Sequence, residues 1–221
     1  GNRVTKVAAN GFAAFDSPNY PPLAVTTSLQ TNVEWDLIRA PEGNRSMVVQ
    51  ARPNTAQVAC IRLFPGIRPE IVDAVLKLDG LRGLVLETYG PGSAPPGRDD
   101  ALIRVLADAT KRGIVIVSVT QCTSSHFQSP PGNCLQANPT GDIGLTGTVN
   151  PVYASVLSLS HIGVVTGLDM TTEAALTKLG YLLALPNSTP ESTARDMSTS
   201  LRGELTELSQ PSFRHPRHAR I

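Results

Sequence analysis

QVACIRLFPG at residues 57–66, IRPEIVDAVLKLDGLRG at 67–83 and LVLETYGPGSAP at 84–95 form one stretch whose hydrophobic period changes from that of a strand to that of a helix and back. Val58, Ala59, Cys60, Ile61, Leu63 and Phe64 make a short apolar run stopped by Pro65-Gly66, which reads as a strand covered on both faces, with Cys60 a core residue. Pro69 suits the first turn of a helix, where its missing N–H costs nothing, and Ile71, Val72, Val75, Leu76 and Leu78 recur at helical spacing up to Gly80. Leu84, Val85 and Leu86 form a second buried strand ending in Tyr89-Gly90-Pro91-Gly92. This is a βαβ unit, so its strands run parallel and its ligand-facing loops lie beyond their carboxyl ends.

The same order repeats on the carboxyl side. Asp99 and Asp100 precede a helical run of Leu102, Ile103, Val105, Leu106 and Ala109, closed by Lys111-Arg112-Gly113. Negative charge at its start and positive charge at its end both suit the helix dipole. IVIVSV at 114–119 is a third buried strand and leads into Thr120-Gln121-Cys122. Residues 125–152, rich in proline, glycine and small polar residues, read as an extended, mobile loop. Beyond it come a weak helix at 153–162, a short edge strand at Val164-Val165 and the clearest helix, with Ala174, Ala175, Leu176, Leu179, Leu182 and Leu183 on one face and Asp169 or Thr171 as its cap. A last helix follows at 190–201, and residues 209–221 read as a basic, disordered tail.

On the amino side, residues 1–23 show little periodicity. Val4 to Val7 are a candidate strand with Phe12, Ala13 and Phe15 packed behind it, and Ser17-Pro18-Asn19 and Pro21-Pro22 are turn signals. Residues 24–55 suggest one or two irregular strands and a linker. The chain has 221 residues, enough to bury a substantial core, and its net charge of +1 argues against nucleic acid as a partner. No apolar run approaches the roughly 20 residues that span a bilayer. The expectation is a soluble cytoplasmic chain with no membrane partner. Three widely spaced cysteines make neither a disulfide framework nor a zinc set, and His126 and His161 have no ligand-spaced partners, so no metal is expected.

Several motifs, in this order, resemble the cytosolic type I-like L-asparaginases. They are Arg3-Val4-Thr5-Lys6; Ser17-Pro18-Asn19 with Pro21-Pro22-Leu23; Tyr89-Gly90-Pro91-Gly92-Ser93; Thr120-Gln121-Cys122; Gly167-Leu168-Asp169-Met170-Thr171-Thr172-Glu173 running on to Leu179; and Leu201-Arg202-Gly203-Glu204. The resemblance implies an α/β fold, the Rossmann-like parallel-sheet C-terminal domain of the asparaginase fold preceded by a remnant of the N-terminal domain. The domains it implies are 1–30 for the end of the N-terminal domain, 31–55 for a linker and 56–208 for the C-terminal domain.

By the same resemblance the activity is hydrolysis of L-asparagine to L-aspartate and ammonia, without cofactor, in a homo-oligomer, either a dimer or a tetramer. In that family a threonine nucleophile and a Thr-Asp pair sit on glycine-rich loops of the N-terminal domain, and this sequence contains neither. The catalytic position carried over is Lys6. Threonine ester chemistry needs an alcohol to lose its proton near neutral pH, and a lysine whose pKa responds to burial can balance that proton. Without the nucleophile, the chain alone is expected to be inactive.

Thr5, Tyr89, Gly90, Ser93, Thr120 and Cys122 correspond to loops that bind substrate or effector. Glu87 stands where the bacterial members carry an arginine, and Ser93 replaces the usual asparagine. Read from residue types alone, Tyr89-Gly90-Pro91-Gly92 is equally a tight turn. Two further readings stay open, the asparaginase-like subunit of a tRNA-dependent amidotransferase and a non-catalytic binding domain of the same fold.

Overall fold

The computed structural model describes residues 3–39, 57–90, 92–95, 98–122 and 154–206. The expected loop at 125–152, most of the linker, the tail, Cys134 and His126 lie outside the described residues.

A four-stranded parallel sheet carries the fold. Its strands are β5 (Val58–Arg62), β6 (Gly83–Thr88), β7 (Val115–Thr120) and β8 (Val165–Thr166), hydrogen-bonded in that order. Register is set by alternation along the two central strands. Leu84, Leu86 and Ile116 point into one core with Val72 and Leu76 of α1 (Pro69–Leu76), Leu102, Leu106 and Ala109 of α2 (Ala101–Lys111), and Leu159 of α3 (Ala154–His161). Val85, Val115, Val117 and Val119 point into the other, with Ala175, Leu179, Leu182 and Leu183 of α4 (Thr172–Ala184) and Met197 of α5 (Pro190–Met197). A one-residue slip would turn each set onto the wrong layer. Burying each of these large side chains contributes about 1.5–3 kcal/mol, so β6 and β7, apolar on both faces, hold the sheet together.

The helices start where their caps dictate. Thr171 Oγ1 accepts from Ala174 N at 3.1 Å and opens α4, and Thr189 and Ser192 form a reciprocal capping box ahead of α5. Gly167 lets the chain leave β8 against β7. A Cβ there would lie 2.7 Å from Val119 Cγ1 and 2.9 Å from Ser118 O.

The front of the chain forms two small antiparallel pairs, β1 (Thr5–Lys6) with β2 (Phe15–Asp16) and β3 (Ala24–Thr26) with β4 (Thr31–Val33). They are pinned to the larger layer by side chains rather than by sheet pairing. Asn19 Nδ2 donates to Asp169 O at 2.9 Å, and Arg3 reaches Asp169 and Gly203.

Three sequence expectations require correction, those for β5, α1 and the Phe12–Phe15 packing. β5 is an edge strand, paired among the described residues only with β6; Val58 packs on one core and Ala59 and Ile61 on the other, but only partly buried, and Cys60 is exposed rather than core. Helix α1 stops at Leu76, short of Gly80, and Ile71 and Leu78 are exposed because they stand off the Val72–Leu76 face. Phe12 is fully exposed and Phe15 largely so; neither packs behind β1 against a core. Asp100 precedes α2 in a left-handed conformation with φ 55° and makes no side-chain cap, so its contribution there is charge alone.

Candidate functional site

Beyond the carboxyl ends of the parallel strands the loops enclose a cleft of about 290 Å³. This is where an open α/β sheet places ligands, because neighbouring loops diverge there and leave a crevice. Arg62 ends β5, Glu87 lies one residue from the end of β6, and Thr120 ends β7 with Gln121 and Cys122 following it. The opposite wall is Met170 and the start of α4, Thr171 to Glu173, and the rim is closed by Thr5 of β1 and the Pro18-Asn19 turn.

Polar contacts fix these groups. Gln121 Nε2 donates to Leu63 O at 2.6 Å and to Glu87 O at 2.9 Å, tying the end of β7 to its neighbours. Thr120 Oγ1 donates to Gly90 O at 2.6 Å and accepts from Cys122 N at 3.1 Å, so its hydroxyl is engaged on both sides. Thr172 Oγ1 donates to Glu87 Oε1 at 2.6 Å, holding that carboxylate at the start of α4, where the positive helix end favours it. Thr5 Oγ1 donates to Glu173 Oε1 at 2.9 Å. Arg62 Nε lies 3.7 Å from Glu87 Oε2, but the arginine side chain is 66% exposed against 15% for the glutamate, so water screens the pair from the arginine side. Asn19 Oδ1 is buried and meets no hydrogen-bond donor, although its Nδ2 is engaged. On β5, desolvation and, second, the Glu87 carboxylate push the Cys60 thiol up to about 11.

The structure brings Thr5, Thr120 and Cys122 of the sequence candidates to this cleft. Tyr89, Gly90 and Ser93 do not line it. They form a tight turn in which Tyr89 and Ser93 exchange backbone hydrogen bonds of 2.8 Å, Gly90 and Gly92 have positive φ, and the Tyr89 ring packs on the α1–α2 core. Lys6 is also away from the cleft: next to Thr5 on a two-residue strand, it points to the other side, exposed, with Nζ 5.2 Å from the Phe15 ring centroid. Sequence reasoning missed Arg62, Asn19 and Thr172 as lining groups. The turn signal at Ser17-Pro18-Asn19 and the helix-start signal at Thr171 were visible, but nothing local says that they face each other. Among the described residues no three His, Cys, Asp or Glu side chains gather as a metal site, and no helix is long and apolar enough to cross a membrane.

Comparison with known proteins gives a consistent result. The family described as the Glutaminase/Asparaginase C-terminal domain matches residues 57–137. L-asparaginase 1 of Escherichia coli is 38% identical over 210 residues, covering 93% of this chain and 53% of that protein. The 60 kDa lysophospholipase of Homo sapiens is 37% identical over 209 residues, covering 95% of this chain and 32% of its own length. The crystal structure of L-asparaginase I from Vibrio cholerae superimposes with a TM-score of 0.72 at 33% identity, over 93% of this chain and 54% of that one. The chain thus spans between a third and about half the length of these relatives.

Proposed function

The chain belongs to the asparaginase family, and from that premise we propose that it is the carboxyl-terminal part of a cytoplasmic L-asparaginase, forming a homo-oligomer, that hydrolyses L-asparagine to L-aspartate and ammonia. Its Lys6 supplies the ammonium of the proton relay, while the threonine nucleophile and the Thr-Asp pair come from an amino-terminal half that this sequence does not contain. Residues 1–30 are then the end of the N-terminal domain and 56–208 the C-terminal domain.

The observation that carries this reading is the setting of Lys6. Its ammonium lies over Phe15, and Val7, Phe12 and Phe15 are exposed on the same small hairpin. A lysine beside uncovered aromatic and aliphatic groups is consistent with a site over which a further domain packs. Apolar surface of this kind marks a contact region.

Ammonia release from L-asparagine is the test, measured for the 221-residue chain alone and for the complete reading frame to which it belongs. The chain alone is inactive, the longer product turns over, and Lys6→Met in the longer product abolishes turnover with little change in folding. Saturable turnover by the pure chain overturns the division of labour. If the longer product is inactive as well, the reading as a non-catalytic binding domain of the same fold remains.

A further inference from the structure

Helix α1 is apolar on two sides. Val72 and Leu76 face the sheet, while Ile71, Ala74 and Leu78 recur three and four residues apart on a side turned away from it, Ile71 50% and Leu78 58% exposed. Phe64, in the turn that leads from β5 to α1, is also 50% exposed. A helix laid on a sheet needs one apolar stripe, so a second one on its solvent side marks a contact surface. The charges beside that stripe have an order. At about 100° per residue, Glu70, Asp73 and Lys77 all fall on the same flank of it. Lys77 Nζ meets Asp73 Oδ2 at 2.5 Å, yet 62% of the lysine side chain is exposed, so its ammonium is open to further carboxylates.

We propose that this stripe docks a second copy of the chain, the two α1 helices packing antiparallel about a twofold axis at Ala74-Val75. Such an axis sets Ile71 of one copy against Leu78 of the other and puts the small Ala74 at the crossing, where helix axes approach to about 8–10 Å. The like flanks of the two helices then meet with their directions reversed. Lys77 comes level with the other copy's carboxylates, offset along the axis by about 1.5 Å from Asp73 and about 3 Å from Glu70 at the helical rise. A parallel pair would instead set each charge against its own kind, so the acidic, acidic, basic order is self-complementary only in the antiparallel dimer. Helix α1 has 8 residues, and a contact centred on it is smaller than the roughly 800 Å² per partner of a standard interface, so association through it is weak. This contact deepens the homo-oligomer part of the function proposed above and is independent of its chemistry.

Sedimentation velocity of the 221-residue chain gives a monomer–dimer equilibrium with a midpoint between about 1 and 100 μM, moved to higher concentration by added salt. Ile71→Lys raises that midpoint at least about tenfold without changing the circular dichroism, because the side chain it replaces is exposed. Leu78→Ser is a second variant if the first melts early. Glu70→Lys and Lys77→Glu each weaken the dimer about threefold or more, since each sets like charges face to face, and an equimolar mixture of the two recovers it, because both contacts again pair opposite charges. Trp35→Ser, on the exposed front segment, leaves the midpoint unchanged. A chain that is monomeric at about 100 μM overturns the α1 contact. So does a dimer dissociated by Trp35→Ser and not by Ile71→Lys, a pair of charge variants that associate like the native chain, or a mixture no tighter than either variant alone. In each of these cases the ammonia assay on the longer product still decides the asparaginase reading.

Discussion

Arg3 Nη1 donates to Asp169 Oδ2 at 2.6 Å across 166 residues of chain, with only 8% and 4% of the two side chains exposed. The same guanidinium donates Nε to Gly203 O at 2.6 Å and Nη2 to Thr206 Oγ1 at 3.1 Å, and lies 4.8 Å from the Tyr20 ring centroid. Asp169 in turn accepts from Thr206 N at 2.8 Å and Thr206 Oγ1 at 2.7 Å. Three stretches that carry the family resemblance, around Arg3, Asp169 and Gly203, are therefore one buried clasp. Its role is to hold β1, and so Thr5, against the start of α4. The conformation at Leu168, with φ 53°, turns Asp169 into that clasp.

Breaking the clasp from one side leaves a buried charge without its partner. Asp169→Ala or Arg3→Met lowers unfolding free energy by about 3–5 kcal/mol, and removing both charges costs less than the sum. Urea denaturation of the two single variants and the double variant measures this. Additive losses would show that the pair is not coupled.

A second buried pair gives a pH dependence. Lys178 Nζ lies 2.7 Å from Glu204 Oε1 and also donates to Met197 O at 2.9 Å and Thr199 O at 2.6 Å. Burial by itself would raise the Glu204 carboxyl, but the Leu201 amide, Lys178 and the Arg202 amide outweigh it and hold it below the usual carboxylate range. A carboxyl depressed in the folded state stabilises the chain at any pH above its unfolded value of about 4.3. That contribution is lost as pH falls through the lower folded value. Thermal midpoints recorded from neutral pH into acid fall for the native chain, and Glu204→Gln, less stable at neutral pH, shows a smaller fall. Parallel curves would remove Glu204 from the account.

The glycines differ in what a methyl group would strike. At Gly83 an added Cβ meets the ends of Leu179 and Leu183 at 2.8 and 2.9 Å, which are flexible tips; at Gly167 it meets a backbone carbonyl, Ser118 O, at 2.9 Å and Val119 Cγ1 at 2.7 Å. Gly167 N also donates to that carbonyl at 2.7 Å. Gly167→Ala is therefore the costlier change, about 1–3 kcal/mol, with Gly83→Ala below it. Paired denaturation curves check the order.

Much of the sheet was legible because periods of two and 3.6 residues register which face is buried. They do not register where a strand sits across a sheet, and for that reason β5 and Cys60 read as core although the strand is an edge. Of the cleft, Thr5, Thr120 and Cys122 could be named from motifs that resemble a family. Asn19, Arg62 and Thr172 converge only once the parallel strands are aligned and α4 is laid across them. The Arg3–Asp169 clasp was inside the quoted motifs, yet a motif shows residues that persist together and not whether they catalyse or hold.

Cys60 tests the charge on Glu87 from outside the cleft. With a pKa near 11, raised first by desolvation and then by Glu87, its thiol is almost wholly protonated at neutral pH and alkylates slowly despite being exposed. In a chain with Cys122→Ser and Cys134→Ser, Glu87→Gln removes the carboxylate and moves the midpoint of the iodoacetamide rate profile to lower pH. An unchanged profile would show that the glutamate does not act on the thiol.

Trp35 is the sole tryptophan of the chain and its side chain lies open to water, the residue being 74% exposed. Phe12, Leu23, Val25 and Leu29 are exposed on the same front segment, whose short pairs share no sheet with the main layer. A large aromatic left in water is ordinary singly, whereas several on one segment make an apolar surface suited to a contact. In the 221-residue chain Trp35 emission is red-shifted and quenched by iodide, and the segment binds a hydrophobic dye. If, as proposed, an amino-terminal half packs over this segment and over Lys6, the emission of a longer reading frame moves to the blue and its dye binding falls. If emission and quenching are the same in both proteins, the front segment is not the seat of the missing half, and the assignment of Lys6 to a composite active site loses its structural support.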